Sequence, residues 1–235
     1  MTEASTQTVE TENGAGAATE PASRATSPVA RRLEALRDLA GRDPETAREL
    51  TWTMLKELGR RAPLHSDATD ELAELFRLGT VPEPIDGQTE GILVAFVWRR
   101  SVNVALGGLT GAWMPWLGKR FNSAEARGDN VLLSSARWPS KLLWPLYRTR
   151  AVEGGRAAFD FETAVEPSKD DPATQALKID YHDVEANPKL LIRSIRDELV
   201  ELVPGAYLGK MLWRHDAERH TLLAYFALRK PASSA

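Results

Sequence analysis

The sequence predicts an α+β protein in which amphipathic helices precede an antiparallel β-structure. Apolar residues recur at helical spacing through residues 28–78. The stretch "TVPEPIDGQTEG" at residues 80–91 ends that pattern, and short apolar runs of strand length follow it. Turn residues separate these runs at regular intervals, which is typical of an antiparallel barrel or sandwich.

Three regions follow from these changes in composition. Residues 1–27 contain Thr, Glu, Ala, Ser and Gly but no aromatic residue, so they cannot bury enough apolar surface to fold, and we predict a disordered tail. Residues 28–80 form the N-terminal helical segment. Residues 81–232 form the β-domain, and a chain of 235 residues suits one domain with such extensions.

Helix signals in the N-terminal helical segment are local and strong. Ser27-Pro28 is an N-cap followed by proline, and Gly41 ends the helix that it starts. Asp43-Pro44 begins a second helix by the same chemistry. A third helix is expected in "SDATDELAELFRLG", with Asp67 as its cap.

The strands are predicted from shorter runs. "GILVAFVW" (Gly91–Trp98) is a continuous apolar run, and further strands are expected within 130–138, 142–153, 156–166, 176–183 and 220–230. Residues 101–113 are ambiguous, because Val102, Leu106 and Leu109 suit a short helix that contains two glycines.

The stretch "IRDELVELVPGAYLGKMLW" (Ile195–Trp213) supports two structures. A helix over 188–203 would place Leu191, Ile195 and Leu199 on one face. Alternatively, Pro204-Gly205 suits the centre of a type II turn between two strands. Residue propensities alone slightly favour the helix.

Four segments resemble, in order, the GXWXG-type bacterial proteins. They are "DGQTEG", "WLGKRFN", "IDYHDVEANP" with "IRDELVELVPGAYLGKM", and "LAYFALRK". The resemblance spans about residues 80–230 and implies a lipocalin-like β-barrel in which Asp197 lies on a strand whose hairpin partner begins at Ala206. We therefore expect the hairpin. The tryptophan that gives the family its name is absent between Gly87 and Gly91, and the resemblance implies no reaction and no cofactor.

Composition excludes several classes of protein. The tail accounts for the whole net charge of −3, so the body is neutral, which argues against nucleic-acid binding. There is no cysteine, no signal peptide and no apolar run of transmembrane length, so we expect a cytoplasmic protein without a membrane span. His215 and His220 flank a turn, and their spacing does not indicate a metal site. No motif of a known catalytic class is present.

Two groups of residues are candidates for ligand binding. Trp116, Lys119, Arg120 and Phe121 combine cations with aromatic rings, which suits an anionic head group on an apolar body. In "KIDYHD", an inward polar face would bury Asp180 beside Tyr181, with Arg193 or Arg196 as its cation. Together with Asp197 and Tyr207, these side chains could orient a polar ligand group. The alternative for both groups is ordinary core and surface packing.

The sequence thus supports three hypotheses. The first is the binding of a small, largely apolar or amphipathic ligand inside the barrel. The second is an enzyme, such as an isomerase, cyclase or hydrolase, that uses Asp180, Asp197 and Tyr207. The third is an interaction role for the helices at 28–78, including a homodimer.

Overall fold

The computed structural model describes residues 27–63, 65–97, 116–134, 147–189 and 191–232. Residues 1–26 of the tail predicted at 1–27 lie outside these residues, and so does the predicted short helix over 102–109. So do parts of the strands expected at 130–138 and 142–153.

Three helices open the described chain: α1 (Pro28–Ala40), α2 (Pro44–Arg61) and α3 (Ser66–Leu78). The Ser27 hydroxyl accepts from the backbone N–H of Ala30, and the Asp43 carboxylate accepts from that of Thr46. The expected cap at Asp67 is wrong, because α3 begins one residue earlier and His65 is its N-cap. Asp67 lies in the first turn of α3, where its negative charge favours the helix N-terminus.

The strands form one antiparallel sheet that curls into a nearly closed barrel, as expected. Their bounds are β1 (Gly87–Gln88), β2 (Glu90–Phe96), β3 (Trp116–Asn122), β4 (Arg127–Leu132), β5 (Arg150–Val152), β6 (Gly155–Pro167), β7 (Gln175–Asp180), β8 (Ile195–Val203), β9 (Ala206–Arg214) and β10 (His220–Arg229). The order across the sheet is β1-β3-β4-β6-β7-β8-β9-β10-β2, and β5 pairs with β6.

One short segment closes the barrel. Only Thr89 separates β1 from β2, so the two ends of the sheet belong to the same stretch of chain. The Thr89 N–H donates to the Lys119 carbonyl at 2.8 Å. Gly118 makes this approach possible, because a Cβ at that position would lie 2.0 Å from the Thr89 carbonyl oxygen.

The stretch from Ile195 to Trp213 is a hairpin, and the helix over 188–203 does not form. Strands β8 and β9 pair in register, and the turn at Pro204-Gly205 joins them with a φ of 78° at the glycine. In the described part of 188–203, the helical structure is a single 3-10 turn at Ile192–Ser194.

Helices α1–α3 cover the outer face of the barrel. Their apolar stripes, which include Leu33, Leu55 and Leu72, are buried against the outward residues of β2, β8, β9 and β10. A second core fills the barrel interior. Because the stripes are buried within the chain, the helices present that side to the barrel rather than to another protein. No helix in the described parts of the chain is long and apolar enough to cross a bilayer.

Candidate functional site

A buried ammonium group lies inside the barrel. Lys119 on β3 is 2% exposed, and its Nζ donates to Asn130 Oδ1 at 2.9 Å, Tyr181 Oη at 2.5 Å and Asp197 Oδ2 at 2.8 Å. The three hydrogens of the ammonium therefore have three acceptors. Tyr181 also donates its hydroxyl proton to Asp197 Oδ2 at 2.9 Å. This cluster joins β3, β4, β8 and the residue after β7.

Aromatic rings surround the same ammonium. The ring centroids of Trp116, Phe161, Tyr181 and Phe226 lie 5.6, 5.3, 5.3 and 5.4 Å from Lys119 Nζ. Their π faces attract a cation and offset part of the cost of its burial. Burial lowers the pKa of Lys119, and Asp197 opposes that change. Burial and the same carboxylate raise the pKa of Tyr181 well above its ordinary value.

A cleft of about 710 Å³ opens between the β3–β4 hairpin, strand β6 and the connection that follows β7. Phe121 and Phe161 line this cleft and also belong to the core of the barrel. Phe161 thus lies between the cleft and the buried ammonium of Lys119. Strand alternation explains the arrangement, because Lys119 and Phe121 point inward while Arg120 points outward.

Ion pairs neutralise the guanidinium groups that line the cleft. Arg120 binds Asp129 at 2.6 Å. Arg150 binds Asp160 at 2.7 Å and Asp129 at 3.3 Å, and Arg127 lies 3.5 Å from Glu162. Asp129 is 5% exposed, and its Oδ1 has no hydrogen-bond partner within the described parts of the chain.

Four further carboxylates line the cleft and form no ion pair with a cation among the described residues: Asp86, Glu125, Asp183 and Glu185. Asp86 accepts hydrogen bonds from the backbone N–H and the hydroxyl of Ser123, which lower its pKa, and Lys230 adds a smaller effect in the same direction. The cleft is therefore richer in negative than in positive charge.

The structure brings five of the predicted residues together: Trp116, Lys119, Phe121, Tyr181 and Asp197. Tyr207 is also buried in the barrel core, where its hydroxyl has no hydrogen-bond partner among the described residues and burial raises its pKa. It does not contact the ammonium cluster.

The other predicted residues lie elsewhere, and the expected pairing of Asp180 with Arg193 or Arg196 is wrong. Asp180 lies on the outer face and pairs with Arg214 at 2.7 Å. Arg196 is its register partner on β8, but Arg196 binds the carboxylates of Glu166 and Glu198 instead. Arg193 donates to backbone carbonyls in the connection after β7. Asp197 is the register partner of Ile179, which precedes Asp180 on β7. Because neighbouring residues of a strand point to opposite faces, Asp180 and Asp197 lie on opposite faces of the sheet and do not share a site.

Sequence reasoning missed several residues of the site, namely Asn130, Asp129, Phe161 and Phe226. The first two could have been found from the β3–β4 hairpin. Its turn at 123–126 sets Lys119 opposite Asn130, and Arg120 opposite Asp129. Phe161 and Phe226 come from distant strands, and only the barrel topology brings them to Lys119.

Within the described ranges, no group of three or more His, Asp and Glu side chains could hold a metal ion. No protein-family model matches the chain, and no curated protein matches it. Among solved structures, a crystal structure of a protein from Thermomonospora curvata is similar. It is 16% identical, with 75% of this chain and 99% of that chain covered, and the TM-score is 0.41. At that score the similarity carries no argument about function.

Proposed function

We propose that this protein is a lipocalin-like binding protein whose small amphipathic ligand lies in the cleft beside the β3–β4 hairpin. The cleft volume of about 710 Å³ is in the range of small-molecule sites. The rings of Phe121 and Phe161 supply apolar contact for the body of the ligand. Charged groups at the rim supply the contacts that orient it.

The charges favour a cationic rather than an anionic head group. Lys119 is enclosed in the barrel with Asp197, and Arg120 is bound to Asp129, so neither cation expected to hold an anion is free. Carboxylates without a cationic partner remain at the rim. A protonated amine on the ligand would complement them.

The observation that carries the proposal is Asp129. It is nearly fully buried, it lines the cleft, and its Oδ1 has no hydrogen-bond partner in the part of the chain that the structure describes. A buried carboxylate oxygen without a donor is costly, so a ligand N–H group that reached it would gain the full value of a charge-assisted hydrogen bond.

The buried cluster positions the cleft wall. Arg120 follows Lys119, and Asp129 precedes Asn130, so the inward hydrogen bond between Lys119 and Asn130 fixes the backbone of both cleft residues. Contacts on one face of the hairpin thereby preorganise the other face for binding.

Two matched probes test the charge of the ligand. Phenethylammonium and 3-phenylpropionate have similar size and opposite charge, and calorimetric titration compares their affinities. We expect the amine to bind about tenfold tighter or better, which is the value of one additional charge-assisted hydrogen bond. Replacing the exposed pair, Asp183→Asn with Glu185→Gln, should weaken amine binding, while Asp38→Asn on α1 should leave it unchanged.

Equal or tighter binding of the carboxylate would refute the cationic head group. Native mass spectrometry of the protein from its own host tests binding itself. A bound amphipathic molecule supports the proposal. A protein at its bare mass of 26.0 kDa, combined with no affinity for either probe, would refute it.

A further inference from the structure

A second polar cluster lies on the outer face of the sheet, beside the β9–β10 turn. Arg214 and His220 are direct register partners on β9 and β10. Arg196 on β8 is the partner of Leu212, two residues before Arg214. Neighbours across antiparallel strands have Cβ atoms about 5 Å apart, and diagonal neighbours lie about 7–8 Å apart. The three polar side chains are therefore within reach of one small ligand.

Each of the three carries a buried nitrogen that has no hydrogen-bond partner among the residues that the structure describes: Arg196 Nη2, Arg214 Nε and His220 Nε2. Arg196 is only 3% exposed. Buried polar groups nearly always have a partner, so the two guanidinium nitrogens indicate a missing acceptor. The His220 Nε2 can donate to the same acceptor once the imidazole is protonated.

Other nitrogens of these side chains already have partners. Arg196 binds Glu166 and Glu198 at 3.0 Å each, and Arg214 binds Asp180 at 2.7 Å. His220 Nδ1 lies 3.3 Å from the Glu218 carbonyl oxygen. The existing contacts therefore hold the side chains in place and leave the three buried nitrogens for another group.

Lys169 extends across the same corner. Its backbone N–H donates to Glu198 at 3.0 Å, and its Nζ lies 3.5 Å from the Ala217 carbonyl oxygen in the β9–β10 turn. The second contact is at the long limit of a hydrogen bond, so the exposed ammonium can turn towards a stronger acceptor.

The electrostatic field at His220 is positive. Burial lowers the pKa of this imidazole, and the charges of Arg196, Arg214 and Lys169 lower it further. The hydrogen bond to the Glu218 carbonyl acts in the opposite direction. Asp180 faces the corner from β7, where it pairs with Arg214. An anion bound here would favour the imidazolium, whose Nε2–H would then donate to it.

We propose that this corner binds a small tetrahedral oxyanion of the sulfate or phosphate class, held by Arg196, Arg214, His220 and Lys169. Donors from three strands and a loop do not share a plane, which suits a tetrahedral anion better than a planar carboxylate. Binding takes up a proton on His220, so it tightens as the pH falls. This site is independent of the cleft.

Nuclear magnetic resonance of the His220 imidazole in the full-length protein tests the proposal. Sulfate is the probe because its charge stays constant between pH 5 and 8, and chloride at equal ionic strength is the reference. We expect saturable shifts of the His220 signals, a raised pKa of His220 in sulfate, and affinity about tenfold higher at pH 5.5 than at pH 7.5. His220→Gln should remove the pH dependence, and Lys169→Gln should weaken binding about tenfold.

His215→Gln is the matched control, since His215 lies in the same turn and its Nε2 bonds Thr221 Oγ1. It should keep the sulfate effect on His220. The proposal is overturned if the His220 signals move no more in sulfate than in chloride, or if acetate at equal ionic strength has the same effect. The wild-type titration decides this even if a variant does not fold.

Discussion

Replacing Lys119 with methionine removes the buried ammonium and keeps most of the volume of the side chain. Asp197, 3% exposed at its side chain, would then remain as a buried carboxylate whose partner is the Tyr181 hydroxyl alone. Breaking a buried ion pair by removing one member costs about 3–5 kcal/mol. With a urea dependence of about 2 kcal/mol per molar, the unfolding midpoint should fall by roughly 1.5–2.5 M.

The double variant Lys119→Met with Asp197→Leu should recover most of that loss. It leaves no uncompensated charge, and apolar replacement of a buried ion pair is often neutral or stabilising. Asn130 and Tyr181 remain hydrogen-bonded to each other at 3.1 Å. Urea denaturation of the wild type, both single variants and the double variant gives the coupling energy of the pair.

The exposed pair Arg32–Glu57 is the control, since both side chains are about half exposed and Arg32→Met should cost less than about 1 kcal/mol. The reasoning fails if Lys119→Met costs no more than the control, or if the double variant loses the sum of the two single losses. A stable double variant would show that the fold does not need the pair. The role of the Lys119–Asp197 pair would then be to position the cleft wall in front of it.

Two further predictions concern closure and pH. Gly118→Ala should lower the free energy of unfolding by several kcal/mol, because the new Cβ would lie 2.0 Å from the Thr89 carbonyl oxygen. Gly154→Ala is the control: its φ is 73° but a Cβ there meets no atom, so it should cost about 1–2 kcal/mol. Thermal unfolding measures both. Burial raises the pKa of Asp180, but the backbone N–H of His182 and the guanidinium of Arg214 outweigh it, so the pKa is lowered below 3.8. The stability that Asp180 contributes is therefore present above pH 3.8 and lost as the pH falls below it, and Asp180→Asn should lose less stability between pH 5 and pH 3 than the wild type. An equally steep acid limb in both proteins would contradict this.

Local signals in the sequence predicted most of the fold. The caps at Ser27 and Asp43 needed no tertiary information. The turn at Pro204-Gly205 was one of two local alternatives, and the family resemblance decided for the hairpin. Propensity was misleading at β8, because its apolar residues satisfy a helical period as well as a strand. Residues 197–203 are buried on both faces, with the barrel core on one side and the helices on the other, so the alternation of an exposed strand is missing.

The site was harder to predict, for a physical reason. Lys119 and Tyr181 were recognised as candidates from residue type alone, but their contact crosses the barrel and depends on the order of the strands. Whether a side chain points into the barrel or to its outer face decided which residues belong to the site. Asp180 and Asp197 look equivalent in the sequence, yet one pairs with Arg214 outside and the other with Lys119 inside.

The closing segment at residues 87–96 has a consequence for how the chain folds. Strand β2 pairs with β10, the last of the described strands along the chain, across more than half of the chain length, with Ala227 opposite Ile92. During synthesis β2 leaves the ribosome long before its partner, so its edge stays open until β10 has been synthesised. We therefore expect slow closure dominated by this long-range pairing, and a transient state in which β2 is exposed to chaperones and to other nascent chains.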